Sequence, residues 1–155
     1  MLKTSVITIL ILAICVPYMF AGLGSHKAEY IGGTVATIKE GTEGETSMKD
    51  EKVYTFTYKG GNLTIPYDQV DSLEYGQKAG RRVGLAIAVS PFLLLSKKRK
   101  HFLTISWKDA NDKQQAAVLE LGKDIVRTEI ATLEARTGRK VEYQDDEARH
   151  AGAGN

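Results

Sequence analysis

The chain has 155 residues, 43% apolar and 26% charged, with a formal net charge of +2. Its length allows one domain of ordinary size. It is too apolar to be disordered and too charged to be a multi-pass transporter.

Residues 1–24 read as a secretory signal peptide. Lys3 is the only charge before Ala21, and Ser5 to Phe20 forms a sixteen-residue uncharged run. That run is shorter than the roughly 20 apolar residues needed to cross a bilayer. Pro17 breaks it near its end, and the small residues Ala21, Gly22 and Gly24 follow where a peptidase would cut. Cleavage after Ala21 or Gly24 is expected, with a retained anchor as the alternative. Cys15, the sole cysteine, follows Ile14, too bulky for a lipoprotein processing site. The mature chain would then be periplasmic or secreted, without disulfides, and stabilised by its core alone.

After a polar lead, Ala28 to Lys39 carries Tyr30, Ile31, Val35 and Ile38 around Gly32-Gly33, which predicts a first strand bent at the glycines. Glu40 to Lys52 is acidic, glycine-containing and almost without apolar residues, which predicts an exposed loop. Val53 to Tyr58 alternates threonine with aromatics, and Lys59-Gly60-Gly61-Asn62 separates it from Leu63-Thr64-Ile65, the layout of an antiparallel hairpin. Pro66 ends the second arm or marks a sheet edge, and Tyr67 to Val70 turns into a further strand at Asp71 to Tyr75.

His101 to Lys108 sets Leu103, Ile105 and Trp107 on one face and Phe102, Thr104 and Ser106 on the other, a strand pattern. Asp109 to Asp112 supplies a turn, and Gln114 to Leu121 returns with Ala117, Leu119 and Leu121 on one face. Gly122 breaks that strand. Lys123 to Thr137 then spaces Val126, Ile130, Leu133 and Thr137 as an amphipathic helix, with Arg127, Glu134 and Arg136 turned away. Asp124 suits the first turn, Arg136 the last and Gly138 the position past the end. Arg139 to Tyr143 predicts one last strand, and residues 144–155, with no apolar residue larger than alanine, a disordered tail.

The expected fold is therefore mainly β within the α+β class, a small antiparallel sheet or open barrel closed by one C-terminal amphipathic helix, in a single domain over residues 25–143. The run from Tyr58 to Leu73, Y-K-G-G-N-L-T-I-P-Y-D-Q-V-D-S-L, resembles the pleckstrin-homology-like superfold and its small bacterial PH-like or GRAM-like modules. The Leu103/Ile105/Trp107 strand, the Asp-Asn-Asp turn and the terminal helix extend that resemblance over about residues 30–137. It implies a module that binds phospholipid or peptide without catalysis, and it carries no ligand residue over to this chain.

One segment departs from an ordinary chain of that type. Val83 to Leu95 is thirteen residues without a charge, and Lys78, Arg81, Arg82, Lys97, Lys98, Arg99 and Lys100 flank it with no acidic residue among them. The mature chain as a whole is close to balanced, because loss of Lys3 leaves twenty basic against nineteen acidic residues, so this stretch is electrostatically distinct from its surroundings. Thirteen residues make only about 20 Å of helix, and Ser90-Pro91 interrupts even that, so the run does not span a bilayer alone. Three readings stay open. Arg81, Arg82, Lys97, Lys98, Arg99 and Lys100 could rest on an anionic phospholipid surface while Phe92, Leu93 and Leu94 enter the acyl boundary, a peripheral membrane contact. The run could be core with solvated basic flanks. Or it could be an exposed patch that makes the protein a self-associating homo-oligomer of the envelope.

Nucleic acid is not expected as a partner of an exported chain, although basic runs neutralise phosphates. His26, His101 and His150 lie far apart without ligand spacing, and the acidic residues from Glu40 to Glu51 lack a calcium-loop ladder, so no metal is expected. Gly32-Gly33 and Gly60-Gly61 lack the flanks of a phosphate cradle. No serine has a nucleophile-elbow context. The chain reads as a non-enzymatic module with no catalytic residues and no cofactor.

Overall fold

A computed structural model describes residues 26–77 and 100–153 of the chain. Eight strands are formed: β1 (Lys27–Gly33), β2 (Thr42–Ser47), β3 (Val53–Tyr58), β4 (Gly61–Pro66), β5 (Val70–Gly76), β6 (His101–Lys108), β7 (Gln114–Leu121) and β8 (Val141–Tyr143). A 3-10 turn at Tyr67–Gln69 links β4 to β5, and two helices follow, α1 (Val126–Thr137) and α2 (Asp146–Ala153). The strands make one open sheet in the order β4-β3-β2-β1-β7-β6-β5-β8.

The hairpins fall where alternation places them. In β3 and β4, Tyr54 lies opposite Ile65 and Phe56 opposite Leu63, so one face of the pair is apolar and the threonines take the other. In β6 and β7, Leu103 faces Leu119 and Ile105 faces Ala117. The turn between β6 and β7 is held by Asp109, whose carboxylate accepts from the amides of Asn111 and Lys113 and from the Gln115 side chain, which holds its pKa down. A bulge at Tyr30/Gly32 bends β1 at the glycines, as the sequence predicts.

Four expectations are corrected. The acidic stretch expected as a loop contains β2, which pairs with β1 and β3. Its inward positions are Gly44 and Thr46 rather than apolar residues, and a Cβ on Gly44 would stand 2.7 Å from the Phe56 ring. The sheet is mixed rather than antiparallel, because β8 runs parallel to β5, with Leu73 opposite Val141. The helix begins at Val126, three residues later than expected. Finally, the chain from Gln144 is not a disordered tail: Asp146–Ala153 is α2, with Ala148 fully buried, so two helices rather than one accompany the sheet.

One face of the sheet carries the core. Tyr30, Tyr54, Phe56, Ile65, Leu73, Tyr75, Leu103, Ile105, Trp107 and Leu119 meet Val126, Ile130 and Leu133 of α1 there. The α1 stripe at 126, 130 and 133 is the one its spacing predicts. Gly138 ends the helix at φ 68°, its amide donating to the Glu134 carbonyl.

Candidate functional site

Antiparallel pairing of β5 with β6 sets Gly76 opposite Phe102. Residues 77 and 100 therefore lie side by side at one end of the sheet, and the basic-flanked segment leaves and returns there. Arg81, Arg82, Phe92, Leu93, Leu94, Lys97, Lys98 and Arg99 lie outside the described residues. Lys100 is described, and its ammonium bonds the Glu120 carboxylate at 2.7 Å.

On the core side of this end, a cavity of about 570 Å³ is lined by Gln77, His101, Lys123, Asp124, Arg127 and Ala151. Lys123 and Arg127 are exposed, and Arg127 reaches the Ala151 carbonyl at the end of α2. His101 pairs with the Tyr75 hydroxyl, their rings 6.1 Å apart. Burial pushes the Tyr75 phenol up to about 12, so the phenol keeps its proton and the imidazole accepts it at Nδ1. Burial and Lys123 lower the pKa of His101, which holds the ring neutral in this bond. His101 thus works as a neutral hydrogen-bond partner of Tyr75.

The opposite side of the same end is acidic. Cross-strand register aligns Glu43, Glu29, Glu120 and Phe102 in one row over β2, β1, β7 and β6. Lys27 and Glu45 complete a groove of about 490 Å³ there. Among the described residues, no salt bridge reaches Glu29, Glu43 or Glu45.

A second cluster lies within the core. Glu129 of α1 is fully buried and accepts from the Thr46 hydroxyl and, at 2.9 Å, from Tyr54. His26 Nδ1 lies 3.7 Å away. Burial pushes the Glu129 carboxyl up against the opposing pull of those hydrogen bonds, and burial with Glu129 raises Tyr54 well above the usual phenol value. Thr46, Tyr54 and Glu129 lie on β2, β3 and α1, so their hydrogen bonds fasten the helix to the sheet. Sequence reasoning missed Glu129, although it stands three residues after Val126 and four before Leu133, on the buried stripe itself.

Among the described residues no helix is long and apolar enough to cross a membrane, and no three His, Cys, Asp or Glu side chains are placed to hold a metal ion. Over the described residues the chain is mainly β, of the α+β class, an open eight-stranded mixed sheet with two short helices. No family model and no curated protein matches it.

Proposed function

We propose that the chain is an exported, non-enzymatic binding module of PH-like build, held against an anionic membrane surface by the basic residues of Lys78 to Lys100. The observation that carries this reading is the register of β5 with β6. It sets Gly76 opposite Phe102, so the chain that carries both basic runs leaves and returns at one end of the sheet, the end where Lys123 and Arg127 lie. The segment between carries seven basic residues and no acidic one, and each Lys or Arg near an anionic surface contributes on the order of 1 kcal/mol. The two meanders β1–β4 and β5–β7, joined through the pairing of β1 with β7 and followed by a helix, support the PH-like reading. The uncharged run from Ser5 to Phe20 supports export, to the periplasm or beyond it.

Co-sedimentation of the purified full chain with vesicles of phosphatidylcholine, alone or with phosphatidylglycerol, tests the proposal. Binding is expected to need the anionic lipid, to weaken as salt rises, and to weaken again in the triple variant Lys97→Glu, Lys98→Glu, Arg99→Glu. Equal binding to both vesicles at every salt concentration overturns it. So does absence of binding together with a stable oligomer in light scattering, which would make the segment a subunit interface.

A further inference from the structure

We infer that the cavity between the β5–β6 end of the sheet and the start of α1 is a binding site for a hydroxylated phosphate ester, a polyol phosphate met either free or as a lipid headgroup. Its lining consists of described residues, so the inference goes beyond the membrane reading and stands without it.

The cavity has the size of a small-molecule pocket, about 570 Å³ against the roughly 300–1,000 Å³ usual for such sites. Part of its lining donates. Lys123 brings an ammonium, and Arg127, whose Nε is engaged by the Ala151 carbonyl at 3.4 Å, keeps its terminal nitrogens for a ligand. Among the described residues no carboxylate forms an ion pair with either. His101 adds a third donor. Because the Tyr75 hydroxyl occupies its Nδ1, the hydrogen of the neutral ring sits on Nε2, the nitrogen left for the cavity. Three donors on three side chains match the three terminal oxygens of a phosphate ester, and two of them are charged.

The rest of the lining accepts. The Gln77 side-chain oxygen, Oε1, is buried and has no hydrogen-bond partner among the described residues, an unmet acceptor that costs stability until a donor reaches it. Asp124 adds a carboxylate to the same lining. An anion without hydroxyls leaves both acceptors unmet, whereas hydroxyls on the organic part of an ester supply them. An amine in their place would set a third cation beside Lys123 and Arg127. Two cations against one carboxylate, with His101 neutral, leave the lining positive, which favours a ligand of net negative charge. Donors for a phosphate and acceptors for hydroxyls thus meet in one cavity.

NMR titration of the full chain with glycerol phosphate, and with methyl phosphate as the ester that lacks hydroxyls, tests the inference. Glycerol phosphate should bind saturably and shift the ring signals of His101, not those of His26 or His150. The bound anion opposes Lys123, so it should also raise the pKa of His101, which burial and Lys123 lower and Glu120 raises in the free chain. The double variant Lys123→Gln, Arg127→Gln should weaken binding at least about tenfold through loss of its charged donors, with Trp107 emission unchanged. Methyl phosphate should bind several-fold more weakly, and Gln77→Leu should narrow that preference without changing the affinity for methyl phosphate. Absence of saturable binding overturns the inference, as does binding that the Lys123 and Arg127 substitutions leave intact, or equal affinity for the two esters. Phosphatidylglycerol vesicles then separate the two sources: displacement of bound glycerol phosphate identifies a lipid headgroup, and its retention a free ester. Vesicles that do not bind at all leave every readout with the free ester in place, so this inference and the membrane proposal fail separately.

Discussion

Glu129 and Arg136 show how much of this fold rests on single polar side chains of α1. Glu129 gives Thr46 and Tyr54 an acceptor inside the core, so Glu129→Ala should cost about 1–3 kcal/mol in denaturant unfolding, because it leaves the buried Tyr54 hydroxyl unpaired. Its charge is a separate matter. Burial raises its folded-state pKa, so its contribution to stability is complete below the ordinary glutamate value of about 4.3 and is lost as pH climbs through the raised value. Stability measured from about pH 4 to pH 8 should therefore fall in the native chain relative to Glu129→Gln, which holds no charge to desolvate. Parallel profiles would show that the carboxyl does not titrate in that window. Arg136, assigned outward by the helical pattern, instead donates to the carbonyls of Met48 and Asp50 and to the Tyr67 hydroxyl, with its guanidinium 5.4 Å from the Tyr67 ring centroid. Arg136→Ala should cost about 1.5–3 kcal/mol, as for other hydrogen bonds from a charged donor. Arg136→Lys should recover little of it, since an ammonium does not reproduce the planar fork. Helical spacing locates a stripe, but it cannot say that a glutamate within the stripe has found Thr46 of β2, Tyr54 of β3 and His26 just before β1.

At the scale of elements, what could be read depended on whether burial was made with large apolar side chains. The β3–β4 and β6–β7 hairpins, β5 and the α1 stripe were legible because Tyr54, Phe56, Leu103, Ile105, Leu119, Ile130 and Leu133 repeat at the period of their element. β2 was not, because Gly44 makes room for Phe56 and Thr46 is satisfied by Glu129, while Glu43 and Glu45 point the other way. α2 was hidden by the same economy. Its buried positions are Ala148 and Gly152, four apart, and a Cβ on Gly152 would meet Tyr143 at 2.8 Å and Ile130 and Tyr75 at 3.0 Å. A helix that seats itself by being thin leaves no hydrophobic signal. Gly152→Leu should therefore lower the melting temperature by several degrees, on the order of 3–5 °C for each kcal/mol of overpacking. Circular dichroism melting checks this, and an unchanged transition would place α2 off the Tyr75–Tyr143 surface. The site was legible only as composition, a basic and apolar run. The acidic row at that end of the sheet joins Glu29 and Glu43 of β1 and β2 to Glu120 of β7, a neighbour in space that is distant in sequence.

At the scale of the whole molecule, the end of the sheet where the segment leaves is electrically two-sided, with Lys123 and Arg127 on the helix side and Glu29, Glu43 and Glu120 on the other. Neither the net charge of +2 nor any single run of residues reveals that polarity. The order of the strands has another consequence. β1 pairs with β2 by a local connection, but its other neighbour, β7, is a distant stretch of chain, with Ala28 opposite Leu121. A chain ending at Asp112 holds β1 to β6 yet lacks the strand that joins β1 to β6. Such a fragment should show no cooperative thermal transition, and a native-like melt would mean that β1–β4 or β5–β6 is stable alone. The middle of the sheet thus closes only after β1 to β6 have all been made. Until the ribosome has passed Leu121, the emerging polypeptide is two separate sets of hairpins with nothing to lock them. If the chain is exported as proposed, this order keeps it threadable through a translocation channel for most of its synthesis, and the strand that ends this state arrives only with its final third.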